Sequence, residues 1–146
     1  IASATTVANG ETPITIRWTY NALAGRDATA AAGGPKIEVV VPASGRFGGV
    51  YVQAISAYAP HPNAAKLWME FLYSDEGQNM WLNGYCVPIR YPDLVKGNKI
   101  PAAAAAKLPD VTGTVFPSLT QLDAARKLIT EQWDSVVGIS YPTPKP

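Results

Sequence analysis

Histidine and cysteine are almost missing from this chain: its 146 residues include one of each, His61 and Cys86. A single cysteine excludes an internal disulfide. With one histidine far from it in sequence, no zinc-ligand spacing can be built either. A Ser-His-acid triad would have to recruit His61, which stands between Pro60 and Pro62 with no nucleophile-elbow glycines nearby. Neither phosphate-binding glycine signature occurs. An excess of one charge is lacking too: 12 Lys and Arg against 11 Asp and Glu give a net charge of +1, spread along the chain. That leaves no electrostatic footprint for nucleic acid or an anionic membrane. No apolar run reaches the ~20 residues of a membrane span. The expectation is a chain with no catalytic set, no metal site and no cofactor.

What is present reads as globular. Hydrophobic residues make up 47% and charged residues 16%, the balance of a folded domain rather than a disordered one. The length suits one domain, or one half of a larger two-lobed protein, and a chain of this size can bury roughly two-thirds of its unfolded surface. The opening IASATTVANG has neither an initiator methionine nor a signal sequence. It predicts the interior of a longer protein or a processed product.

Along the chain, residues 1–12 are small and polar and predict a loop. Ile14, Ile16 and Trp18 alternate on one face, predicting a half-buried strand that ends near Tyr20 and Asn21. ATAAAGGP reads as a connector. KIEVVVP predicts a second strand, its Val39-Val40-Val41 run buried on both faces until Pro42 stops it. A third strand is expected over about 50–58. Beyond Pro62, the spacing of Ala64, Leu67, Trp68, Phe71 and Leu72 predicts an amphipathic helix. Ser74 followed by Asp75 and Glu76 predicts the cap and acidic first turn of a second helix running through Trp81, ended by Gly84. YCVPIRYPDLVKGNKIP reads as irregular, and residues 102–106 as a short helix opened by Pro101. A long helix from Thr120 to Gly138 is expected to bury Leu122, Leu128, Ile129, Trp133, Val136 and Val137. The tail ISYPTPKP reads as loose. Strands interleaved with helices predict the α/β class, with a sheet too thin to be complete in this chain.

Three of the four tryptophans, Trp68, Trp81 and Trp133, sit at helical core spacing and read as packing. Trp18 differs, because it adjoins Thr19, Tyr20 and Asn21 in a polar-aromatic cluster. Cys86 reads as a small packing residue, since its local sequence offers no cation to activate a thiol. The glycine pair of SGRFGGVYVQAI is the other anomaly. Glycine at the mouth of a strand costs backbone entropy and packs nothing, so Gly48 and Gly49 imply either a bend between two bodies or close approach of a ligand to bare backbone.

IRWTYNALAGRD, SGRFGGVYVQAI, APHPNAAKLWMEFLYSDEGQ, GYCVP and AARKLITEQWDSVVG together cover about residues 13–138. In that order they resemble the C-terminal portion of a bacterial ABC-transporter substrate-binding protein, of the superfamily that includes spermidine/putrescine and ferric-ion binders. The strand followed by APHPNAAKLWMEFLYSDEGQ is the most specific part of the likeness.

The resemblance implies part of a two-lobed, type II periplasmic-binding-protein fold whose N-terminal half is missing. Residues 1–47, with 113–146 returning to them, would belong to one lobe and 48–112 to the other, with a hinge near 46–51 at Gly48 and Gly49. Ligand positions would fall on Trp18, Thr19, Tyr20, Asn21, Gly49 and Tyr51. The polyamine binders carry a carboxylate where Tyr51 stands, and the ferric binders a tyrosine pair where Tyr20-Asn21 stands. With Arg17 or Arg46 near the cleft, a neutral or anionic solute is the expectation. The resemblance further implies a periplasmic or membrane-tethered extracellular location and an ABC permease as partner. The alternatives are a ligand-sensing domain of a regulator with the same clamp, and a small enzyme. Open strand edges at 14–18 and 37–41 would also favour self-association.

Overall fold

The computed structural model describes residues 4–138. Seven helices follow one another in these residues: α1 (Ala4–Ala8), α2 (Thr19–Ala31), α3 (Pro62–Tyr73), α4 (Asp75–Asn83), α5 (Tyr91–Lys96), α6 (Ala102–Ala105) and α7 (Leu119–Val137). The expected tail 139–146 lies outside them.

The helices start and stop where local chemistry directs. Pro62 occupies the first turn of α3, where its missing N–H costs nothing. Ser74 serves both neighbours: its hydroxyl donates to Phe71 O at 2.6 Å and accepts from Gly77 N at 3.0 Å, ending α3 and capping α4. Ser118 and Gln121 form a capping box at the start of α7, and Gly138 closes that helix in the left-handed region. The helices expected at the positions of α3, α4, α6 and α7 are all present.

The α/β expectation is overturned. Among the described residues there is no sheet; one isolated parallel bridge joins Phe47 to Val115. Residues 14–18, 37–41 and 50–56 carry no ladder, because a strand exists only with a partner edge and none is supplied to them. Their apolar side chains are correspondingly in solvent: Ile16 is 99% exposed and Val52 85%. Val39 and Val41 are only half-buried and Val40 is exposed, so that run is not enclosed on both faces. Three segments read as irregular are helical instead: α1 within residues 1–12, α2 across the supposed strand end and alanine-rich connector, and α5 after Pro88. Alanine has the highest helix propensity, which accounts for α2.

Among the described residues the principal helix contacts are α1 on α2, α3 on α4 and α4 on α6. Among the described residues the buried aliphatic side chains are Leu23, Leu82 and Leu94. Gln78 is buried with them and satisfied at both ends, Nε2 donating to Leu72 O (2.7 Å) and Oε1 accepting from Arg90 N (3.0 Å). Arg90 reaches back to Asp75 at 2.9 Å, and Lys99 meets the same carboxylate at 2.6 Å. These bonds tie the end of α3, α4 and the start of α5 together. Trp68, Trp81 and Trp133, expected in a core, are exposed, as are all the apolar residues expected to be buried along α7.

Candidate functional site

The end of the segment before α2 carries an aromatic cluster. Trp18 is the N-cap residue of α2, in extended backbone, and its ring stacks on Phe47 with centroids 6.0 Å apart and planes inclined by 27°. Gly49 approaches the edge of the same indole: a Cβ there would stand 3.2 Å from Cη2. Two residues on in each segment, the phenolic oxygens of Tyr20 and Tyr51 lie 3.2 Å apart. Thr19 and Asn21 are half-buried in the first turn of α2 beside them. The N–H groups of that turn have no acceptor within the helix.

The six expected ligand residues thus come from two segments, and two cross-pairs bring four of them together, Trp18 with Gly49 and Tyr20 with Tyr51; Thr19 and Asn21 only adjoin these in sequence. Phe47 is the member that sequence reasoning missed. Its signal was present, an aromatic residue directly before the glycine pair.

A second layer holds the segment of Phe47 and Gly49 in place. Arg46 O accepts from Val115 N (3.0 Å) and Gly48 N donates to Val115 O (2.9 Å). Arg46 pairs with Asp110 at 3.0 Å and donates to Thr112 O. Hydrogen bonds from Thr112, followed by Arg46, pull the Asp110 carboxyl down to about 2. Arg46, expected near a solute, therefore has its charge committed to a structural clamp; Arg17, beside Trp18, is exposed. Gly48 needs its hydrogen for packing, since a Cβ would meet Phe116 Cε1 at 2.6 Å and Thr114 Cγ2 at 2.7 Å. Neither Gly48 nor Gly49 is among the positive-φ residues. In this conformation the pair serves close approach rather than unusual dihedrals.

The far side is tied by Tyr85. This residue has φ +61°, an uncommon conformation for a side chain of its size, and its hydroxyl donates to Asp27 Oδ2 at 2.5 Å. The bond links the exit of α4 to the body of α2. Asp27 also accepts from Arg26, and the two bonds lower its carboxyl, Arg26 contributing more. Tyr85 is raised in turn by Asp27. Next along the chain, Cys86 is half-buried, and burial raises its thiol, the opposite of what a nucleophilic cysteine needs. The Tyr51 phenol is raised chiefly by its hydrogen bond with Tyr20.

Chemically, the cluster offers an indole for stacking, two phenols that donate and accept, a bare backbone at Gly49, and no carboxylate among its members. Among the described residues no three of His, Cys, Asp and Glu converge as a metal set, and no helix is long and apolar enough to cross a membrane. Two open grooves lie elsewhere. One, of about 340 Å³, runs between residues 53–56 and Trp68 of α3; the other, of about 500 Å³, lies between α4 and α6. Neither contains a member of the aromatic cluster, and the cluster has the more specific chemistry. The chain's residues 1–112 match the family model described as bacterial extracellular solute-binding protein. No curated protein and no solved structure gives a significant match.

Proposed function

Because the chain belongs to the bacterial extracellular solute-binding protein family, we propose that it takes part in capturing a small solute for an ABC import system, at the face formed by Trp18, Tyr20, Gly49 and Tyr51. The observation that carries this reading is the pairing of two sequence-distant segments around an exposed indole and a phenol pair. Stacking on Trp18 supplies apolar contact area, while the phenols, Thr19 and Asn21 orient hydroxyl, carbonyl or amide groups.

The cluster lacks a carboxylate and adjoins Arg17 and the N-terminus of α2, whose free N–H groups favour electron-rich atoms. A neutral or anionic solute suits it better than a polyamine. The role is binding without turnover: the solute is enclosed between this face and a second body, closure being driven by contacts made only in the closed state, and the loaded form is presented to a membrane permease outside the cell or in the periplasm.

The test is a thermal-shift and tryptophan-fluorescence screen with sugars, amino acids, oxyanions and polyamines. Saturable stabilisation by a neutral or anionic solute, lost in Trp18→Ala, is the expected result. Binding that survives Trp18→Ala and Tyr51→Phe unchanged, or a response to polyamines alone, would sink the proposal.

A further inference from the structure

We propose that the groove between α4 and α6 is a second ligand site, one that takes a small α-amino acid with an aliphatic side chain. Its volume, about 500 Å³, lies within the range of roughly 300–1,000 Å³ typical of small-molecule pockets. Glu76, Asn79 and Asn83 line it from α4, and their spacing of three and four residues puts them on one face of that helix. Lys107, just past the end of α6, lines it as well.

The walls of this groove are fastened to each other. Asn79 Nδ2 donates to Lys99 O at 2.9 Å, which fixes the segment leading into α6 against α4. The Lys99 ammonium meets Asp75 at 2.6 Å, and Lys99 N donates to Leu94 O at 2.8 Å. With its amide nitrogen used in this way, Asn79 has an acceptor left over: Oδ1 is buried and has no hydrogen-bond partner. Buried polar atoms are nearly always paired, and leaving one unpaired costs free energy that a donor recovers. Among the described residues neither Glu76 nor Lys107 is in an ion pair.

These groups select the chemistry of the ligand. An ammonium carries three donors and no acceptor, which suits the carboxylate of Glu76 and the side-chain oxygens of Asn79 and Asn83. A carboxylate on the same molecule suits Lys107. One acidic and one basic group favour a zwitterion over a net anion or a polyamine. Apolar surface comes from Leu82, which is fully buried, and from Met80, whose unbranched side chain adapts to the shape it meets. No member of the aromatic cluster lines this groove, so the inference stands apart from the proposed solute face.

Isothermal titration calorimetry of the full chain with leucine should show saturable binding at one site. N-acetylleucine, which lacks the ammonium, and leucinamide, which lacks the carboxylate, should each bind at least about tenfold more weakly, the size of a lost charge-assisted hydrogen bond. Glu76→Gln and Lys107→Met should weaken leucine by a similar factor. Both positions are exposed, and circular dichroism should show wild-type helicity in both variants. As a second readout, the side-chain amide resonance of Asn79 should shift when leucine is added to the wild-type chain. Trp18→Ala should leave leucine binding unchanged, so binding that needs Glu76 and Lys107 but not Trp18 bears on this groove alone. No saturable binding of leucine, valine or alanine would overturn the inference. So would a leucine affinity unchanged in Glu76→Gln and Lys107→Met, a silent Asn79 amide, or binding lost in Trp18→Ala, which would assign leucine to the aromatic face.

Discussion

Tyr20 and Tyr51, 31 residues apart in sequence, hold their phenolic oxygens 3.2 Å apart. One lies in the first turn of α2 and the other two residues past the glycine pair, so this contact joins the two segments that build the candidate site. The bond favours the protonated phenol at Tyr51, whose pKa rises for that reason.

An ultraviolet phenolate titration should therefore find Tyr51 ionising above the ordinary tyrosine value of about 10, and Tyr20→Phe should return it toward that value. The sign of the linked stability follows from the raised folded-state pKa: the contribution is fully present below the unfolded value and is lost as pH rises through the folded one. A titration of Tyr51 identical in wild type and Tyr20→Phe would contradict the contact.

Acid acts on the opposite clamp. Asp110, lowered to about 2 by Thr112 and Arg46, stabilises the fold above its unfolded pKa, and that contribution is lost as pH falls through the folded value. The window is about pH 4 to 2. Carboxyl chemical shifts followed by NMR should place Asp110 as the last aspartate to protonate. Asp110→Asn should remove its share of the acid dependence and loosen the bridge at Phe47 and Val115.

Gly48→Ala should destabilise the protein by about 1–3 kcal/mol, the usual cost of overpacking, because its Cβ meets Phe116 and Thr114 at well under contact distance. Trimming Phe116 to Ala in the same chain should recover part of the lost melting temperature. Failure of that double variant to recover any stability would point to a backbone cause instead.

The α3–α4 junction separates two effects. Ser74→Ala removes a cap and should cost about 1 kcal/mol. Gly77→Ala should cost more, since its Cβ would fall 2.1 Å from the backbone oxygen of Phe71, which no side-chain rotation can relieve. Chemical denaturation ranks the pair, and equal losses would refute the assignment.

Helix boundaries were the most legible feature of this chain. Pro62, Ser74, Pro101 and Gly138 act on their own few residues, through fixed dihedrals and hydrogen bonds that need nothing distant; the cap of α7 falls on Ser118, two residues before the expected start at Thr120. The same local reasoning fails over residues 19–31, where α2 runs, because a strand end and the low-complexity ATAAAGGP hide a helix that alanine favours. The candidate site was half legible. Trp18, Tyr20, Gly49 and Tyr51 stood out as residues that core packing poorly explained, but Phe47 and the structural use of Arg46 did not. Both depend on residues 110–116, which no short-range pattern ties to position 46.

By itself, the sequence determined the positions of α3, α4, α6 and α7, the near balance of charge, and membership of a solute-binding family. Tertiary structure alone decided that Ile14, Ile16, Val50 and Val52 stand in solvent without a sheet, and that Trp18 meets Phe47 and Gly49. The physical reason is range. A cap or a proline is satisfied within one turn, whereas a strand, a buried stripe or a ring stack is completed only by a partner whose position the alternating residues themselves do not encode.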